Sequence, residues 1–199
     1  MKYLVVLCVW SALIESAFGF NVFDSFKMPF ANKDGGLVQK REALKTLLLQ
    51  ECEENPSNRQ RIEEIIADMA EVSPTPESAN SPLLKSKWLL KWTTEKEINF
   101  FIDWNLSSQV TQTIDDNEVL ENCIEFRKGG YLGVAGALSS EGGVRTDFEF
   151  TEATLDLGKF GSYKIPPVGK GWFDTVYLDK DLRVDTNSRN DILICQRMD

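Results

Sequence analysis

The stretch GWFDTVYLDKDLRV, Gly171 to Val184, sets Asp174, Tyr177, Asp179, Asp181 and Arg183 among large apolar residues. Carboxylates beside a guanidinium could form an acid pair with an anion anchor. Asp179 or Tyr177 would then be the acid/base of a small isomerase or cyclase, with Arg183 as the anchor. The competing reading is a hairpin. Asp179-Lys180-Asp181 has turn chemistry, because an aspartate at a turn accepts hydrogen bonds from its own backbone. Leu182-Arg183-Val184 then starts the return strand. By alternation Phe173 and Tyr177 share one face of the hairpin, while Trp172, Val176 and Leu178 share the other. The turn reading is preferred.

The rest of the composition narrows the chemistry. The chain has no histidine, which removes Ser-His-Asp and Cys-His schemes and every His-ligated metal site. Its cysteines, Cys8, Cys52, Cys123 and Cys195, include no CxxC pair and no metal-type spacing. Cys8 falls in a leader, and the odd remainder reads as small buried apolar residues in a reducing compartment. The net charge of −9 repels phosphate backbones, and no basic run exceeds Lys40-Arg41 or Arg127-Lys128. No nucleic-acid partner, metal or cofactor is expected.

The elements that must position the hairpin are legible from periodicity. Leu37, Leu44, Leu47 and Leu48 fall on one helical face up to Glu53, and Asn55-Pro56 ends that helix. Ser57 and Gln60 form an S-x-x-Q capping box for a second helix. Its apolar stripe is Ile62, Ile65, Ile66, Met69 and Val72. The pair reads as an amphipathic helical hairpin over residues 37–72. It needs a surface to bury its stripe, and docking on the same chain suits its acidic outer faces better than a bilayer does. Residues 73–83 form a Pro-rich linker.

From residue 84 to 197 the period becomes two. Trp88, Leu90 and Trp92 alternate with Leu89, Lys91 and Thr93. Thr94 to Glu97 is a second capping box before a short apolar helix or plug, Ile98 to Trp104. Strand-like runs then recur between turn residues. They are 109–114, 119–127, 131–138, 144–157, 163–165, 173–178, 182–185 and 192–196. About eight antiparallel strands hide their edges most simply by closing into a barrel. Such an interior holds side chains or one small ligand. Parity nominates Trp88, Trp92, Phe148, Phe150, Trp172 and Val176 for its wall, with core packing and no ligand as the alternative. Asp179 could also accept hydrogen bonds at the barrel rim.

The N-terminus reads as an address. Residues 1–17 have a lysine, an apolar run and the small-residue end of a signal peptide, with cleavage after Ala17. Residues 18–36 look like a transit segment. Ser16-Ala17-Phe18 resembles the junction of bipartite plastid presequences in algae.

Gly171 to Val184, followed by Arg189 and DILICQR, resembles the C-terminal signature of the plastid lipid-associated proteins, also called fibrillins or plastoglobulins. Its signature positions here are Thr175, Tyr177, Leu178, Asp179, Leu182 and Arg183. PLLKSKWLLKWTT is similar to the family's first barrel strand, and EVSPTP to its linker. Ser86, Trp92, Ser73 and Asn190 depart from the usual Gly, Tyr, Asn and Gly. The resemblance implies a mainly β (α+β), lipocalin-like barrel preceded by the helices, over residues 37–197. It further implies association with plastoglobules or thylakoid membranes, a structural or carrier role and no catalysis. The implied ligand is a prenylquinone, carotenoid or acyl lipid. Two readings compete with it: the barrel enzyme above, and a globule coat without a cavity.

Overall fold

The computed structural model describes residues 33–167 and 169–198. The expected signal peptide and most of the expected transit segment lie outside the described residues. The compact unit spans Leu37–Asp199. Helix α1 (Lys33–Glu53) begins a turn earlier than its apolar face suggests, and α2 (Arg59–Glu71) follows.

Among the described residues nine strands then form one antiparallel sheet. They are β1 (Ser86–Thr93), β2 (Ser107–Ile114), β3 (Val119–Phe126), β4 (Tyr131–Ser139), β5 (Arg145–Asp156), β6 (Ser162–Ile165), β7 (Lys170–Leu178), β8 (Leu182–Asn187) and β9 (Ile192–Arg197). Helix α3 (Lys96–Asp103) lies between β1 and β2. The order is β4-β3-β2-β1-β9-β8-β7-β5-β6, and β4 also pairs with β5. That extra pairing closes eight strands into a meander barrel. Strand β6 stays outside it, paired to the far half of the long β5 while β7 takes the near half. The expected lipocalin-like barrel of about eight strands, preceded by a helical hairpin, is the observed fold.

The hairpin docks on the outside of the barrel. Leu44 and Leu48 of α1 and Ile62, Ile65, Ile66 and Met69 of α2 share a core with Tyr177, Leu182, Val184, Ile192 and Ile194. Those last five point outward from β7, β8 and β9. This wall is therefore buried on both sides, by helices outside and by the barrel interior inside. Leu37 does not join the stripe and stays exposed.

Both expected caps are rearranged. Asn58, not Ser57, caps α2, accepting from Arg61 N at 3.2 Å. The Ser57 hydroxyl instead accepts from Trp92 Nε1 at 2.9 Å, tying the hairpin to β1. Thr94 is drawn away from α3: its hydroxyl donates to Asp191 Oδ1 and accepts from Ile192 N. A cap side chain with a better tertiary partner takes that partner.

Four bulges interrupt the alternation among the described strands. They lie between Leu90 and Trp92, between Thr175 and Tyr177, between Ser107 and Gln109, and in β5 opposite Ala135 and Gly136. At the last, a Cβ on Gly136 would collide with the backbone of Glu149 and Phe150, so glycine is required there. The first two bulges overturn the alternation expected from sequence. Trp92, Val176 and Tyr177 all pack against the helical core, whereas Leu178 turns inward beside Trp88.

The docking predicts that Leu48→Ala, which opens a void between α1 and the barrel wall, costs about 2–5 kcal/mol. Urea denaturation should show a lower midpoint with an unchanged slope. A loss below about 1 kcal/mol would mean that α1 does not pack on the wall.

Candidate functional site

The two ends of the barrel differ. At one end the linker crosses beneath the strands in two short 3₁₀ turns, Ser78–Asn80 and Pro82–Leu84. Ser78 anchors it by donating its hydroxyl to Thr175 O at 2.6 Å. Leu84, Trp88, Ile114, Leu120 and Leu178 fill this floor. Trp88 is fully buried and its Nε1 donates to Leu84 O at 2.9 Å. The Arg197 guanidinium lies 4.5 Å from the Trp88 ring, a cation–π contact that covers the floor from below.

Above the floor is a cavity of about 530 Å³, within the size range of small-molecule sites. Leu90, Val110, Ile124, Leu132, Val134 and Leu193 give it an apolar wall. Phe148 and Phe150, 5.0 Å apart between ring centroids, also line it. Gly171 makes room for Ser188 and Phe148: a Cβ there would sit 2.6 Å from Ser188 Oγ and 3.3 Å from the Phe148 ring. The mouth lies at the other end, where Glu95, Glu97, Lys170, Asn187, Ser188 and Arg189 reach the cavity. Arg189 holds α3 across this end through Glu97 at 2.9 Å and Glu95 at 3.4 Å. Burial pushes the Glu95 carboxyl above its ordinary value, against the pull of Arg189.

The interior also holds charge, which the sequence reading did not foresee. Arg183 is 0% exposed. Its Nε lies 3.0 Å from Asp185 Oδ2, and Asp185 accepts from the Thr175 hydroxyl at 2.7 Å. Arg183 Nη2 donates to Gln112 Oε1. The guanidinium also faces the Trp88 ring at 5.1 Å. Burial pushes the Asp185 carboxyl up, opposed by Arg183 and Thr175. Burial likewise pushes the Cys195 thiol up to about 11, leaving it a protonated wall residue.

Of the wall residues expected from parity, Phe148 and Phe150 line the cavity and Trp88 lies under it. Trp92, Trp172 and Val176 are elsewhere. Trp172 points outward, with the Arg145 guanidinium 3.7 Å over its ring, and Arg145 pairs with Asp174 at 2.7 Å.

The signature hairpin divides in two. Thr175, Leu178 and Arg183 face the interior, while Tyr177 and Leu182 face the helices. Asp179 forms the turn: its Oδ1 accepts from Asp181 N and Leu182 N, each at 2.8 Å. Its Oδ2 accepts from the Tyr177 hydroxyl at 2.8 Å and meets Lys45 Nζ of α1 at 2.9 Å. Tyr177 and Asp179 are thus bound to each other under α1, and Arg183 is inside the barrel. The acid, base and anchor of the enzyme reading do not converge in one pocket. Burial alone would raise the Asp179 carboxyl, but bonds from Lys45, the turn amides and Tyr177 outweigh it and hold it below the ordinary range.

Asp185, Gln112 and Asn122 were missed. Gln112 lies between Val110 and Ile114 on its inward face and Asn122 between Leu120 and Ile124, whereas Asp185 follows the inward Arg183, and charges at such spacing also mark an ordinary solvent-facing strand.

A closed antiparallel barrel with a filled floor and an open apolar interior defines a lipocalin-like protein. Within that class the chain belongs to the PAP_fibrillin family, whose profile matches residues 44–196. It is also 34% identical over 151 residues, 73% of this chain and 70% of the relative, to an Arabidopsis thaliana protein described as probable plastid-lipid-associated protein 11, chloroplastic. The family resemblance carried by the C-terminal hairpin is therefore borne out.

Asp179 generates the prediction here. A carboxyl held low in the fold stabilises above its unfolded value, about 3.9. That contribution is lost as pH falls through the folded value. Asp179→Asn should cost about 2–4 kcal/mol near neutral pH, where a charged acceptor of several donors is removed. The gap from the parent protein should narrow below about pH 4. Urea titrations of both proteins across that range check this. A gap that does not depend on pH would contradict it.

Proposed function

We propose that this protein is a binding module of the plastid that holds one lipophilic molecule in its barrel and docks on a plastoglobule or thylakoid surface. The observation that carries this reading is the apolar cavity with its single filled floor. The family supports a lipid-associated role, and the Arabidopsis relative's description supports the plastid. The resemblance suggests a prenylquinone, carotenoid or acyl lipid as occupant. A binding role is favoured over catalysis because the candidate acid–base groups are bound to one another outside the cavity. A coat without a cavity is disfavoured by the open interior.

The mouth rim supports docking. The connections β1–β2, β3–β4 and β5–β6 all lie at that end, and they expose large apolar side chains. Phe100, Ile102, Trp104 and Leu106 come from the first, Tyr131 borders the second, and Leu157 and Phe160 belong to the third, which Tyr163 of β6 borders. Trp104 is 70% exposed and Phe160 68%. The three connections are contiguous: Arg127 N donates to Leu106 O at 2.9 Å. Gly130 also packs so close to Asp156 that a Cβ would collide with its backbone. Exposed apolar surface of this kind marks interaction sites. Lys159, 5.1 Å from the Phe160 ring, sets a cation beside it, suited to anionic headgroups.

Titration of the purified protein with a prenylquinone should quench tryptophan fluorescence saturably, at one molecule per chain. Val134→Trp, which fills the cavity at a cost of about 1–3 kcal/mol in packing, should abolish saturation. Linear, unsaturable quenching in the parent protein would contradict occupancy of the cavity.

A further inference from the structure

The polar side chains inside the barrel are joined into one chain, and the chain has a direction. Arg183 Nη2 donates to Gln112 Oε1. Gln112 Nε2 donates to Asn122 Oδ1 at 2.7 Å. An arginine can only donate, so the oxygen of Gln112 must face it. The nitrogen of Gln112 then faces Asn122, and the oxygen of Asn122 faces Gln112. Each amide is thereby fixed, and Asn122 is left with its Nδ2 as the free end. Among the described residues that nitrogen has no hydrogen-bond acceptor. Gln112 and Asn122 both line the cavity. Asn122 sits on β3 between Leu120, part of the floor, and Ile124, farther up the wall. Behind the lining, Arg183 Nε and Nη1 also make no hydrogen bond among the described residues, Nε meeting Asp185 as an ion pair, so the buried cluster holds donors in excess of acceptors.

We propose that Asn122 is the specificity-determining residue of the cavity, donating its amide N–H to the oxygen of a neutral carbonyl-bearing lipid that enters head first, tail toward the rim. The inference rests on the reading that the barrel holds a lipophilic molecule. A cationic donor at the start of the chain polarises each amide after it, which strengthens the last N–H as a donor. The head is neutral because the cluster is already balanced, with Arg183 Nε 3.0 Å from the Asp185 carboxylate. A carboxylate head would add a second negative charge to the interior that already holds Asp185. An alkane would fill the wall and leave Asn122 without an acceptor.

The test uses the full protein and three probes of equal chain length: a medium-chain methyl ketone with carbon-13 at its carbonyl, the alkane and the fatty acid. Isotope-edited infrared spectra should show the carbonyl stretch of the bound ketone lowered relative to the ketone in hexane. Asn122→Leu should remove that shift and weaken ketone binding about 3- to 10-fold, with alkane binding unchanged or tighter. If Asn122→Leu does not fold, Asn122→Ala, which removes the amide donor and adds no bulk, should likewise abolish the shift. The proposal is overturned if the bound carbonyl shows the same frequency in parent and variant, or if the fatty acid binds more tightly than the ketone. Should the parent protein bind neither ketone nor alkane, the cavity reading itself fails, and this inference falls with it.

Discussion

Strand β8 carries its charges inward. Leu182 and Val184 face the helices, and Arg183 and Asp185 face the barrel interior, the reverse of an ordinary surface strand. The rest of the architecture follows from that choice. Two outward apolar residues on β8 require a cover, and the α1–α2 hairpin is that cover. Two inward charges require each other. Removing either from water costs several kcal/mol, and only a close partner offsets it. Gln112, Thr175 and the Trp88 ring complete the surroundings of the pair.

The same wall explains why the hairpin must be clamped from outside. Lys45 on α1 reaches Asp179, which already holds the β7–β8 turn and the Tyr177 hydroxyl. One carboxylate thus fixes the turn that sets the register of β8 and the position of the helix that covers it. The register in turn decides that Arg183, not Leu182, enters the barrel. Lys45 is itself buried, and burial would lower its pKa. Its contacts with Asp179, Glu42 and Asp181 outweigh that and leave it raised. Floor, wall and clamp converge on a few residues of the C-terminal hairpin, which is where the family signature lies.

Much of the fold was legible in the sequence because it rests on local signals. The leucine and isoleucine stripes mark α1 and α2, Ser73 to Pro82 marks the linker, and Asp179 to Asp181 marks the turn. The site was less legible, for a definite reason. Alternation predicts a side chain's face only while the strand is regular, and the bulges near Lys91 and Val176 each shift it by one residue. Trp92 and Tyr177 were misplaced for that reason. Trp172 and Val176 were misplaced differently: the parity that turns Phe173 inward turns Trp172 out to Arg145 and Val176 out to the helices. The polar chain from Arg183 to Asn122 joins β8, β2 and β3, and only barrel closure brings those strands to one interior.

The inward orientation of β8 is tested most directly by a double-mutant cycle on Arg183 and Asp185, read as urea stability. Arg183→Met and Asp185→Leu should each cost about 3–5 kcal/mol, because each leaves one buried charge without its partner. The double variant should lose far less than their sum. Single losses below about 1 kcal/mol that simply add would be the behaviour of a solvent-exposed pair. That result would place the two charges outside the barrel and contradict the account.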